Sequence, residues 1–200
     1  MNRVAQLSRL LVLGLVFAAV AGATPILTLQ GSFFSGPNEV NLATFSYDPF
    51  TDGSLLNIQT YGYGGTSNAP GGVNLAGNVI VAGGFDPIIT LYSGTGDSAI
   101  RIAFNDDGSC PPGATDGGIC FDSTLNLAGL SAGSYTLALT AFSNFSNGAT
   151  LGAGFSGTGN FDGRTSNFAV DVQGIPEPAT SLLLASGLLV LGYFGRRKRA

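Results

Sequence analysis

The stretch 87–104, "PIITLYSGTGDSAIRIAF", decides the fold. "PIITLY" (87–92) and "AIRIAF" (99–104) are short runs rich in β-branched and aromatic residues, and they straddle the Gly-rich linker "SGTGDS". Two such runs around a tight glycine-containing connection predict a β-hairpin, not a helix. The same grammar repeats outward on both sides. In "EVNLATFSY" (39–47), Val40, Leu42, Thr44 and Ser46 alternate with Asn41, Ala43, Phe45 and Tyr47. In "SYTLALTAF" (134–142), Tyr135, Leu137 and Leu139 share one face while Thr136, Ala138 and Thr140 take the other. Period-two patterning of this kind marks half-buried strands.

Further extended segments are predicted at 24–34, 54–63, 119–130 and 166–173. The first places Ile26, Thr28 and Gln30 opposite Leu27 and Leu29 and reads as an early, edge-lying strand. The run "VNLAGNVIVAG" (73–83) reads as one or two short extended pieces, because Gly77 interrupts it. Glycine accounts for 31 of the 200 residues, so turns are frequent and a helical bundle is disfavoured. Seven to nine strands in about 150 residues close most simply as an all-β, antiparallel β-sandwich, whose two sheets bury their apolar faces against each other. The aromatics of "TYGYGG" and "FSNFSNG", among them Tyr61, Tyr63, Phe142 and Phe145, are expected to fill the sandwich core. An exposed carbohydrate platform is the competing reading.

Formal net charge is −4, but the bases lie mostly at the ends. Between Thr24 and Ile175, Arg101 and Arg164 face eleven acids, a net charge of −9. Such a surface repels phosphate backbones, and no basic stripe or zinc-ligand set is present, so nucleic acid is excluded as a partner.

Both ends are apolar. Residues 1–23 place Arg3 and Arg9 before an unbroken apolar run from Leu10 to Ala21, followed by small residues. This is the pattern of a secretory signal peptide, with cleavage after Ala23 or, in the alternative register, after Ala21. Residues 179–195 form an uncharged stretch of 17 residues, about 26 Å as a helix at ~1.5 Å per residue, sufficient for a single transmembrane helix in a thin bilayer. Arg196, Arg197, Lys198 and Arg199 behind it are costly to translocate and act as a stop-transfer cluster on the cytoplasmic side. Pro176 and Pro178 hold Glu177 in an extended backbone just before the apolar run. The chain therefore divides into a signal peptide (1–23), an ectodomain (24–175) and a C-terminal segment (176–200).

The order Pro176-Glu177-Pro178, apolar run and basic tail resembles the PEP-CTERM sorting signal of exported bacterial proteins. That resemblance implies recognition of the tripeptide by an exosortase-type membrane enzyme. It also implies export through the inner membrane of a Gram-negative bacterium, a transient membrane anchor, and release to the cell surface or an exopolysaccharide matrix. The stretches "GGFDPIITLYSGTGDSAIRIAFNDDG" and "LSAGSYTLALTAFSNFSNG", within 40–172, resemble β-sandwich ectodomains joined to such tails and, distantly, bacterial pre-peptidase C-terminal domains. Those relatives imply a jelly-roll-like accessory or adhesive module.

Catalytic chemistry finds little material. The absence of histidine removes Ser-His-Asp and Cys-His catalysis and histidine-ligated zinc, and Lys198, behind the membrane segment, is the sole lysine. Asp106 and Asp107, joined by Asp86 or Asp122, are the one carboxylate set available for glycosidic hydrolysis. Adjacent aspartates in a Gly-rich loop are normally solvated, and the chain has no tryptophan to stack a sugar. No enzyme activity is expected, and no cofactor is required. Asn105, Asp106 and Asp107 beside Gly108 offer hard oxygen ligands for a structural Ca2+, or else form an Asx-rich turn capping its own backbone. The D-x-[DN]-x-[DN]-G register is missing, so an EF-hand is not indicated. Cys110 and Cys120, in an exported segment, are expected to form a disulfide closing a nine-residue loop, worth about 2–3 kcal/mol.

Overall fold

The structure, a computed structural model, describes residues 22–64, 70–114 and 120–176. The hairpin forms as the sequence predicts: β6 (Pro87–Ser93) pairs antiparallel with β7 (Ile100–Asn105), in the register Ile89 with Asn105 and Leu91 with Ala103. From it the pairings nest outward along the chain. β3 (Leu55–Tyr61) pairs with β8 (Thr124–Ala128), β2 (Asn41–Tyr47) with β9 (Gly133–Ala141), and β1 (Thr24–Ser32) with β10 (Asn167–Ile175), each antiparallel. Added pairings of β10 with β3 and of β9 with β6 complete two four-stranded sheets, ordered β1-β10-β3-β8 and β2-β9-β6-β7. The result is an antiparallel β-sandwich, and residues 23–175 constitute one compact unit.

Alternation aims one face of each sheet inward. Leu56 and Ile58 of β3, Phe168, Val170 and Val172 of β10, and Leu125 of β8 meet Phe45 and Tyr47 of β2, Ile89 and Leu91 of β6, and Tyr135, Leu137 and Leu139 of β9. Leu27 and Leu29 of β1 pack at the margin of this core. Each large apolar side chain removed from water here contributes about 1.5–3 kcal/mol. The Tyr47 hydroxyl donates to the Gly53 carbonyl at 2.5 Å, so the buried phenol is not left unsatisfied.

The outer face of each sheet carries a cover built from a connecting segment. Over β10 and β3 lies a small flap, β4 (Gly72–Val73) and β5 (Val79–Ile80), whose Ile80 packs on Tyr61 and Ala169. The Leu75 N–H donates to the Asp171 carboxylate at 2.7 Å, and the Val73 N–H to the Pro112 carbonyl at 2.9 Å. Over β9 and β6 lies part of the β9–β10 connection, including a 3-10 turn at Leu151–Ala153. Tyr92, Ala99 and Ala138 are buried there against Val40, Leu151 and Phe155.

Core aromatics depart from the sequence expectation. Tyr61 is buried, but in the small cluster under the flap, while Phe142 is 40 % exposed and meets Phe145 edge-on with ring centres 5.8 Å apart. Phe33, Phe45, Tyr47, Phe85, Tyr135 and Phe168 fill the core instead. Strand parity is the reason, because Tyr61 stands opposite Ala169 on the outer face of its sheet. Among the described residues no helix is long and apolar enough to cross a membrane. The predicted span at 179–195 and all but the last two residues of the predicted signal peptide lie outside them.

Candidate functional site

One rim of the sandwich gathers the loops that follow β3, β5 and β7 and precede β8 and β10. Asn105 ends β7 and ties it to β8: its Oδ1 accepts the Thr124 N–H at 3.0 Å, and its carbonyl accepts the Ser123 hydroxyl at 3.1 Å. The following loop turns back at Gly108, where a Cβ would lie 2.7 Å from Thr124 Oγ1 and 2.8 Å from the Asp122 carbonyl. Only glycine lets the loop pass that close to the start of β8.

Asp122 is wholly buried and fully answered. It accepts the N–H groups of Tyr63 and Gly64 at 3.3 and 3.1 Å, the Thr60 hydroxyl at 3.2 Å and the Cys120 thiol at 3.8 Å. Burial raises its pKa, while the Gly64 and Tyr63 N–H groups pull in the opposite direction. Asp86 is the opposite case. Burial first, and then the carboxylates of Asp107, Asp106, Asp122 and Asp162, push it up to about 7. Its Oδ1 is buried with no hydrogen-bond partner among the described residues. Asp107 is also raised, by burial and by Asp106.

Arg164 does not neutralise this group. Its Nε donates to the Gly84 carbonyl and an η nitrogen to the Tyr63 carbonyl, both at 2.5 Å, and the guanidinium stacks 3.8 Å above the Tyr63 ring. Phe121, 37 % exposed, lies tilted at 59° to the Tyr63 ring with the ring centres 4.8 Å apart. Arg164 thus fixes three loops together and leaves the carboxylates to one another. The arrangement raises one carboxyl toward neutral pH and offers an aromatic edge to solvent, and among the described residues it supplies no nucleophile and base pair.

Asp106 and Asp107 do converge electrostatically on Asp86, whereas Asn105 spends its side-chain oxygen on the Thr124 N–H. Among the described residues no group of three or more metal-ligating side chains is assembled. Cys110 and Cys120 are not joined as a disulfide. They are nonetheless neighbours, because burial and then a hydrogen bond with Cys110 raise the Cys120 thiol pKa. The segment between them, 115–119, lies outside the described residues.

Sequence reasoning missed two features, the Arg164–Tyr63 stack and the buried Asp171 under the flap. Their partners are 101 and 96 positions away. No local pattern announces such pairs. Of the sorting residues, Pro176 directly follows β10, while Glu177, Pro178, Arg196, Arg197, Lys198 and Arg199 lie outside the described residues.

Comparison with known families matches residues 174–199 to the PEP-CTERM protein-sorting motif. The match begins inside β10, whose last residue is Ile175, and takes in both the proline-flanked glutamate and the basic tail. No curated protein matches the chain. The motif is a non-catalytic sorting signal, and its presence supports export and delivery to the cell surface by an exosortase-type enzyme.

Proposed function

We propose that this chain is a structural or adhesive component of the cell surface or extracellular matrix, sorted by an exosortase-type membrane enzyme and without catalytic activity of its own. The observation that carries the reading is the sorting motif, which starts at the last two residues of β10. In this account residues 1–23 direct export and are removed, residues 179–195 anchor the chain transiently in the inner membrane, and Arg196–Arg199 stop its transfer. Glu177, between its two prolines, is the recognised carboxylate. The ectodomain is a jelly roll, a reading supported by the nested pairing of β6 with β7, β3 with β8, β2 with β9 and β1 with β10. Its kinship with pre-peptidase C-terminal domains rests on the shared order of the Asp-Pro, Asn-Asp-Asp-Gly and "AGSYTL" segments.

Fractionating source cells and sequencing both termini of the mature protein tests this directly. The reading expects a new N-terminus after Ala21 or Ala23 and a new C-terminus near 176–178. E177Q is expected to accumulate unprocessed in the membrane, and unchanged cleavage and release would remove the assigned role of this carboxylate. The same material tests the disulfide. Non-reducing mass spectrometry is expected to recover a Cys110–Cys120 link, an outcome favoured by the proximity of the two thiols. Two alkylatable thiols would refute it.

A second reading, a Ca2+-binding module of the matrix, is favoured by the unpartnered Asp86 oxygen and by the electrostatic pressure of Asp107 and Asp106 on that carboxyl, which a bound cation would relieve. It expects a calcium-dependent rise in melting temperature that disappears in the Asp106→Asn, Asp107→Asn double variant.

A further inference from the structure

We propose that the cleft between the flap and the outer face of β1, β10 and β3 is a binding site for one ring of a neutral glycan. The cleft has a volume of about 250 Å3 and is lined chiefly by Gln30, Ser32, Tyr61, Ile80, Val81 and Asn167. Sites for drug-sized ligands run to about 300–1,000 Å3, so this one suits a single small ring, with the rest of a chain in solvent.

Its two walls differ in kind. The flap contributes two apolar residues, Val81, 69 % exposed, and Ile80, 4 % exposed, which seals the floor against Tyr61. The edge strand β1 and its neighbour β10 contribute amides and a hydroxyl: Gln30 of β1, exposed, with Ser32 of β1 and Asn167 of β10. A pyranose is similarly two-sided, with C–H faces and hydroxyl edges, so an apolar wall opposite a polar one can satisfy both without a large aromatic platform. The polar wall is pre-oriented. The Ser32 hydroxyl donates to Asn167 Oδ1 at 2.6 Å, which fixes that amide oxygen as the acceptor, leaves the NH2 as the group able to donate and leaves Ser32 Oγ able to accept. Tyr61, whose hydroxyl is kept neutral by burial and by the nearby Asp171 carboxylate, also lines the cleft.

Charge decides the class of glycan. Among the described residues no ionisable side chain other than Tyr61 lines the cleft, Asp171 lies beneath the adjoining flap, and the span from Thr24 to Ile175 carries a net charge of −9. Uronate, sulfate and phosphate groups would be repelled, and neutral sugars would not. A second polar surface on the same sheet serves as a control. Gln173 Nε2 donates to Asn57 Oδ1 and Asn57 Nδ2 to Asn126 Oδ1, each at 2.8 Å, so these amides are largely consumed by one another.

The inference rests on the matrix reading only for where the glycan comes from, and its test is independent of sorting. The full chain, held in a detergent without a sugar headgroup, is titrated calorimetrically with cellohexaose, laminarihexaose, mannohexaose and chitohexaose, and with an oligogalacturonate. Saturable binding of at least one neutral hexaose is expected, with none of the oligogalacturonate. Gln30→Ala combined with Asn167→Ala is expected to weaken binding about tenfold or more, and Asn126→Ala to leave it unchanged. No binding by any neutral hexaose, binding indifferent to the Gln30/Asn167 pair, or preference for the oligogalacturonate would each overturn the site. Normal binding by a chain that cells fail to sort would leave this inference standing and remove only the sorting account; normal sorting without binding would do the reverse.

Discussion

The two sheets are covered in different ways. Over β9 and β6 the cover is sealed by apolar packing of Leu151 and Phe155 onto Tyr92, Ala99 and Ala138. Its polar contacts are also answered: the Tyr92 hydroxyl donates to Ser146 Oγ at 2.9 Å, Thr136 to the Gly94 carbonyl and Thr140 to the Asn144 carbonyl, both at 2.8 Å. Over β10 and β3 one apolar anchor, Ile80, does most of the sealing. Beneath that flap Asp171 Oδ1 and Asn74 Nδ2 are buried with no hydrogen-bond partner among the described residues, and a cleft remains open beside it. A buried polar group without a partner is costly, so a cover that tolerates two of them is held less firmly than one that tolerates none. The first cover behaves as part of the core. The second is an attachment whose closure balances a few interactions.

The comparison can be broken by substitution. Tyr92→Ala removes a fully buried ring from the sealed cover and is expected to cost about 3–5 kcal/mol, read as a lower denaturation midpoint of the whole domain. Ile80→Ala is expected to cost about 2–4 kcal/mol, but locally. Hydrogen exchange should accelerate at the Leu75 and Asn78 amides while those of β9 keep their protection; a uniform loss across the domain would mean that the flap is as integral as the other cover. Asp171→Ala deletes the charge-assisted bond to Leu75 and is expected to cost about 1.5–3 kcal/mol, again with the flap amides affected first.

The effect expected at the rim is one of pH dependence. Asp86 titrates at about 7 in the fold against an ordinary 3.8. Between those values the folded chain holds a proton that the unfolded chain has released, so this group's contribution to stability is full below about pH 4 and is lost as pH rises through about 7. Asp86→Asn is expected to flatten that limb and to raise the melting temperature at pH 8; a melting curve with unaltered pH dependence would remove Asp86 as its source.

What was legible in the sequence was contiguous. The β6–β7 hairpin could be read because its two strands and their turn occupy a single run of 19 residues, 87–105, and the sorting motif because its three parts follow one another in order. The alternation that buries Leu137 and Leu139 was visible for the same reason. Pairing across the sheet was not visible: Thr24 meets Gly174 and Gln30 meets Ala169, and nothing local to either residue names the other. The rim suffered equally. Asp106 and Asp107 stood out as a pair, but their effect on Asp86 depends on how two connections fold over the same edge. Tyr61 read as a core aromatic by composition, and only its register with Ala169 places it under the flap.

The position of β10 bears on biosynthesis. It lies between β1 and β3, so the strand made last supplies the neighbour that the strand made first has been waiting for. A nascent chain that has reached β9 has no hydrogen-bonded neighbour for β1. Completion of that sheet therefore coincides with arrival of the residues that begin the address tag.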